Sequence, residues 1–379
     1  MMENIIGLSL DLITHPGETL KEVIENNNIS QEELAIRTGY TAKHISEVLN
    51  GKKGISNSFA IALEYALSIS AEFWSNLQCI YDKNIDEVEK LNNIDRKEYA
   101  VLKELKEVVA YLKKINLLSK DLNDTSIILK LRKILNVNNL LSIPNLPIQQ
   151  VAFRGTKNKI NIYVLYAWQK ICEILTYDNS ITEQFNKEKL VKRIDDIKDT
   201  MFLEPTEMIE KLKQIFKECG ISFNVVKHFK GAPVQGFIKK RNEQVILCLT
   251  IRQSFADIFW FTLFHEIGHL LNDDFKKSYI DYNFIDSKEE KNADEFARNT
   301  LINSDEYNSF ISENILNIEN INKFSKSQNV IPTIIIGRIQ NDKKDYSFLI
   351  QYKERYTWIE KSWWLFYLFV IKLFSRKGD

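Results

Sequence analysis

Residues Asp257 to Leu271 read DIFWFTLFHEIGHLL, a run that sets His265, Glu266 and His269 into otherwise apolar surroundings. A mostly buried helix can carry such groups only if each finds a partner, because an unpaired buried polar group costs roughly 1–3 kcal/mol. On a helix, positions i and i+4 share a face, so both imidazoles can bind one cation. Glu266 is one residue on and can reach the next coordination position, where it would take a proton from a water. Zinc suits two imidazoles with one carboxylate. A carboxylate is available, since EEKNADEFARNTLI places Glu290 and Asp294 at i and i+4 on a following helix. The first can bind metal while the second orients a ligand imidazole from behind. The competing reading is a chance HExxH string whose histidines simply cap a core helix.

A second pattern lies near the N-terminus. Gln31–Asn50 reads QEELAIRTGYTAKHISEVLN, with a small residue (Ala35) inside a first helix, Gly39 at a turn, and Ile45 and Val48 on the inner face of a second helix. These are the requirements of a helix-turn-helix, whose second helix enters a DNA major groove. The outward candidates are Thr41, Ala42, Lys43, His44 and Glu47, with Lys52 and Lys53 just beyond and Gln31 facing a phosphate at a helix N-terminus. The alternative is a helical bundle that never meets DNA. Residues 1–80 hold five basic and ten acidic residues, a poor balance for general attraction to DNA, yet four of the five basic residues lie within 37–53.

HPGETLKE, SQEELAIRTGYTAKHISEVLNGKKGIS and FWSNLQCIYD, spanning about residues 14–82, resemble the antidote proteins of HigA-type addiction modules within the Cro/phage-repressor superfamily. That resemblance implies a dimeric, sequence-specific repressor that pairs through the helix-turn-helix domain and binds operator DNA. Further on, GAPVQGFIKK, VILCLTIR, the HEIGH helix, EEKNADEFARNTLI and IPTIIIGRIQ resemble the ImmA/IrrE metallopeptidases over roughly 150–358. It implies a gluzincin-like fold and peptide-bond hydrolysis, with His265, His269 and Glu290 as zinc ligands and Glu266 as general base. Glu289 is the fallback third ligand, because Asn292 stands where Glu is common. Tyr279, Tyr282, His228 and Arg252 are the candidates for stabilising an oxyanion, each also readable as structural.

The expected fold class is multidomain. An all-α helix-turn-helix bundle (1–82) precedes a helical connector (83–147) and a mainly helical α+β peptidase region (148–358, core 221–340) with a small antiparallel sheet. An apolar tail (359–379) ends the chain. Equal numbers of basic and acidic residues, 51 each, neither announce nor exclude a nucleic-acid partner. Four scattered cysteines without a CxxC pair read as reduced thiols of a cytoplasmic protein. The tail's longest apolar run, Trp363–Ile371, is too short to span a membrane. It suits packing or dimerisation better than contact with a membrane surface. The combined expectation is a DNA-binding regulator or antitoxin with a zinc endopeptidase that cleaves a repressor or toxin. The alternatives are a regulator whose peptidase-like domain only senses or interacts, and a helix-turn-helix that only docks another repressor.

Overall fold

Each of the first five helices starts at a residue whose side chain caps it. His15 caps α1 (Pro16–Asn26), Ser30 caps α2 (Gln31–Thr38), Thr41 caps α3 (Ala42–Leu49), Ser56 caps α4 (Asn57–Leu67) and Ser70 caps α5 (Ala71–Asn92). Each acceptor satisfies one N–H that the helix itself leaves open. The Ser30/Glu33 pair makes half of the capping box, since Ser30 Oγ accepts from Glu33 N at 3.1 Å while the Glu33 carboxylate turns to Arg37. Gly39 ends α2 in the left-handed region at φ 72°. The computed structural model describes residues 13–146, 160–177, 181, 183–273, 288–313, 315–359 and 369–370.

The interior of this first unit is built from Leu20, Leu34, Ile45, Val48, Phe59, Leu63 and Trp74, all fully buried. Gly17 makes one close approach possible: a Cβ there would lie 1.9 Å from the Val48 carbonyl oxygen. The start of α1 therefore rests directly on the backbone of α3. The unit extends past α5 to Tyr99 and takes in Asp121–Lys130, and Ala100–Lys120 joins the remainder of the chain. The segment 83–147, expected as a connector, is thus shared between two units. Its helices are α6 (Arg96–Glu104), α7 (Lys106–Lys114) and α8 (Asp124–Ile134).

The second unit continues with α9 (Ile162–Leu175), α10 (Lys187–Lys192), α11 (Ile194–Asp199) and α12 (Pro205–Glu218). Three strands follow, β1 (Ile221–Val226), β2 (Gly236–Arg241) and β3 (Gln244–Thr250). Then come α13 (Ala256–Asn272), α14 (Lys288–Leu301), α15 (Ser304–Ser312), α16 (Ile318–Ser327) and α17 (Pro332–Lys343). The sheet is mixed, in the order β1-β3-β2, with β1 parallel and β2 antiparallel to β3. This corrects the expected antiparallel sheet. β2 and β3 form a hairpin turned at Asn242 (φ 52°), but the 227–235 loop carries the chain over the end of β3, so β1 and β2 flank it. β1, antiparallel to β2, must then run with β3. As central strand, β3 is buried along almost its whole length, which explains its unbroken apolar run VILCL.

Of the tail, the backbone of β4 (Trp358–Ile359) pairs antiparallel with β5 (Phe369–Val370); residues 360–368 and 371–379 lie outside the described residues. Among the described residues no helix is long and apolar enough to cross a membrane. Cys79 is exposed and Cys172, Cys219 and Cys248 are buried, all four as free thiols.

The His15 cap has a pH consequence. Its Nδ1 accepts from Gly17 N at 2.9 Å, which requires an unprotonated nitrogen. Burial holds the imidazole below its ordinary value near 6.5, with Glu18 and Asp82 partly opposing it. A histidine whose folded pKa is lowered stabilises the fold above about pH 6.5 and loses that contribution as the pH falls below it. Amide-exchange protection across residues 16–26, corrected for intrinsic rates, should therefore fall between pH 7 and pH 5. In His15→Asn, which keeps a cap but cannot titrate, that pH dependence should shrink; an unchanged profile would contradict the cap.

Candidate metal centre and candidate nucleic-acid interface

In the second unit, α13 is fixed by its flanks before its histidines come into play. At its first turn Asp257 pairs with Lys353 Nζ at 2.8 Å, and the same ammonium donates to Gln340 Oε1 at 3.0 Å. Burial pushes the Asp257 carboxyl up and Lys353 opposes it. Gly337 in α17 permits this arrangement, because a Cβ there would stand 2.1 Å from Asp257 Oδ2. One turn on, Trp260 Nε1 donates to the buried Tyr356 hydroxyl at 2.9 Å. These contacts hold one side of α13 against α17 and the 353–356 segment.

The other side carries the histidines. His265 and His269 face each other through Nε2 at 3.0 Å, and Glu290 of α14 lies against both, 3.3 Å from His265 Nε2 and 3.2 Å from His269 Nε2. His265 is 1% exposed and His269 12%. Asp294, one turn beyond Glu290, accepts from His265 Nδ1 at 2.8 Å, which leaves the lone pair of Nε2 pointing into the cluster. Burial acts to raise the Glu290 carboxyl, but the two imidazoles beside it outweigh burial and hold the group below the usual carboxylate range. One ligand atom each from His265, His269 and Glu290 falls within 4.8 Å of the others, a set among the described residues able to hold a metal ion. Two nitrogens and one oxygen, with a carboxylate behind one imidazole, fit zinc. Of the two neighbouring glutamates, it is Glu290 rather than Glu289 that meets both histidines.

Two glycines shape the cluster, Gly268 where its missing side chain lets another element pack against α13, and Gly236. A Cβ on Gly268 would lie 3.0 Å from Ala293 Cα and 3.3 Å from the Ala293 and Phe296 side chains. Gly268 therefore lets α14 approach close enough for Glu290 and Asp294 to arrive. A Cβ on Gly236, at the start of β2, would fall 2.0 Å from Glu266 Oε1. The carboxylate of Glu266, 3% exposed, is thus seated against the β2 backbone. The sequence signal for Gly236 is only a glycine opening a short strand, and nothing in GFIKK points to the helix it meets. Of the oxyanion candidates, Arg252 donates to the Pro233 carbonyl at 3.3 Å. His228 is held below its ordinary value by burial and then by Arg252. Tyr279 and Tyr282 lie outside the described residues.

In the first unit, α3 turns Ile45, Val48 and Leu49 inward. Thr41, Ala42 and Lys43 are exposed, as are Lys52, Lys53 and Gln31, the first residue of α2. His44 behaves otherwise: its ring packs against Tyr40 at 4.7 Å and Phe59 at 4.9 Å, with Nε2 buried. His44, expected on the outward face, is half-buried on the flank of α3. Burial, then Lys53, holds it below its ordinary value. Glu47 stands between two ammonium groups, with Lys43 Nζ 3.9 Å from Oε1 and Lys53 Nζ 3.9 Å from Oε2.

The helix-turn-helix family matches residues 20–74. Virulence-associated protein A′ of Dichelobacter nodosus is 39% identical over 69 residues, 18% of this chain and 60% of that protein, so the chain spans less than two thirds of this relative. Among solved structures, a Pseudomonas aeruginosa protein in complex with its operator DNA is 32% identical, covering 20% of this chain and 81% of that one, at a TM-score of 0.20. A HigA-family addiction module antidote protein from Coxiella burnetii is 25% identical, covering 27% and 92%, at a TM-score of 0.19. The Pseudomonas aeruginosa antitoxin HigA, solved with its promoter, is 31% identical, covering 22% and 97%, also at 0.19.

The two glycines should separate under mutation. Gly268→Leu forces α14 away from α13, and zinc affinity measured by competition with a chelating dye should fall at least about tenfold. Gly236→Ala disturbs Glu266 alone and should leave zinc affinity within about twofold of the parent. Equal metal loss in both variants would show that the cluster does not depend on the α13–α14 approach.

Proposed function

We propose that this chain is a DNA-binding regulator of the antitoxin kind whose second unit is a zinc-dependent endopeptidase acting on a regulatory protein, a repressor or a toxin. The observation that carries the enzymatic half is the convergence of His265 Nε2, His269 Nε2 and Glu290 within 4.8 Å, with Asp294 fixing one imidazole. The gluzincin-like reading comes from the sequence resemblance, and a ligand set on two adjacent helices is compatible with it. Zinc, when bound, polarises the scissile carbonyl and acidifies a water. The chain's own contribution is Glu266: its carboxylate accepts the proton of the attacking water and returns it to the leaving amine. That carboxylate is seated against the backbone at Gly236, where a side chain would displace it.

The DNA-binding half rests on the helix-turn-helix of residues 20–74 and on the exposed face of α3. Relatives that carry this fold on operator or promoter DNA support the same use here, and a dimer paired through the first unit would read two half-sites. Lys43 and Lys53 supply phosphate contacts against an otherwise acidic unit.

Two experiments test the halves separately. The parent and Glu266→Gln chains are each co-expressed with the proteins encoded next to their gene, and new N-termini are mapped by mass spectrometry. A cut made by the parent, absent with Glu266→Gln although zinc content is equal, is the expected result. An identical cut by both would remove Glu266 from the chemistry, and no cut by either would favour a sensor or interaction role. For DNA, the parent should shift its own upstream region at low salt. Lys43→Ala with Lys53→Ala should reduce the slope of log affinity against log salt by about 2; an unchanged slope would place the DNA elsewhere.

A further inference from the structure

Resting on the DNA-binding reading above, we propose that Glu47 is the base-reading residue of α3 and that it selects cytosine through the cytosine amino group. With 3.6 residues per turn and Ile45 as the inward direction, Lys43 and Glu47 both lie within about 20° of the opposite side. They are the centre of the outward face. Ala42 and Ser46 stand to one side, and the His44 ring is committed to Tyr40 and Phe59. The side chain at the middle of the presented face is thus an acid, on the one helix expected to approach a polyanion.

Such a carboxylate needs a reason to be there. In the free chain it is balanced by Lys43 and Lys53, each 3.9 Å from a different Glu47 oxygen, an open fork rather than a tight pair. Lys43, with 85% of its side chain exposed, and Lys53, with 51%, can swing outward to phosphates without any change in the backbone. The carboxylate then remains facing the base edges, where it can only accept hydrogen bonds. In the major groove guanine offers two acceptors, thymine an acceptor and a methyl group, and adenine a donor beside an acceptor that would repel it. Cytosine offers an amino donor with no acceptor of its own beside it, and is the base a carboxylate tolerates best. The two lysines would therefore supply affinity, and Glu47 would turn that affinity towards one base.

The test is selection from a randomised duplex library by the full-length parent, Glu47→Gln and Glu47→Ala, each verified as folded by circular dichroism. The parent should enrich sequences with one invariant cytosine per half-site. Glu47→Gln should move that position to adenine, whose donor and acceptor an amide matches, by about tenfold or more in relative affinity. Glu47→Ala should lose preference at that position while keeping the others. If all three proteins select the same sequences and Glu47→Ala merely binds every duplex more tightly, Glu47 is only a counter-ion for the lysines and the proposal is overturned. If the parent enriches nothing, the DNA-binding premise itself fails and takes the proposal with it.

Discussion

Two imidazoles lie in α13, an otherwise apolar helix, and the arrangement around them follows from giving them partners. An ionisable group as buried as His265 persists only where nearby groups satisfy it. The partners come from α14, which reaches α13 at contact distance because residue 268 has no side chain. That single absence lets Glu290 touch both histidines and Asp294 hold the first of them. The opposite flank of α13 is secured by another pair of polar groups, Asp257 and Lys353, admitted by a second glycine, Gly337. Glycines at three helix and strand crossings, 236, 268 and 337, therefore set where the charged groups sit.

The first unit is held by a different device. Five helices are each started by a capping side chain, and the apolar interior does the rest. Helices of 8 to 11 residues such as α2, α3 and α4 are marginal alone, so caps and tertiary packing decide their ends. In α3, Ile45, Val48 and Leu49 are held in the interior while the capping Thr41, with Ala42 and Lys43, stays exposed.

Much of this was legible in the residues themselves. Ser30, Thr41 and Gly39 mark helix ends through local chemistry, and the structure puts each where that chemistry requires. The HExxH spacing and the Glu290/Asp294 spacing are properties of single helices, so the grouping of those side chains follows from periodicity once the two helices meet. What was not legible depends on crossings between distant segments. The parallel pairing of β1 with β3 is decided by a loop that skips a strand, and no local pattern records it. The packing of the His44 ring depends on Phe59 from another helix, and the service of Gly236 to Glu266 depends on a residue thirty positions away. An arginine such as Arg252 likewise reads alike in the sequence whether it meets a substrate or the Pro233 carbonyl.

The central claim is that α13 and α14 together form a zinc centre with a mixed nitrogen and oxygen ligand set. X-ray absorption at the zinc edge on the full-length protein, loaded with one equivalent of zinc, measures that set directly. The account predicts two imidazole nitrogens at about 2.0–2.1 Å with carboxylate or water oxygen at about 2.0–2.2 Å, and no sulfur. Loss of the imidazole signal in His265→Ala should accompany loss of the metal. A spectrum dominated by sulfur at about 2.3 Å, or one unchanged in His265→Ala, would contradict it.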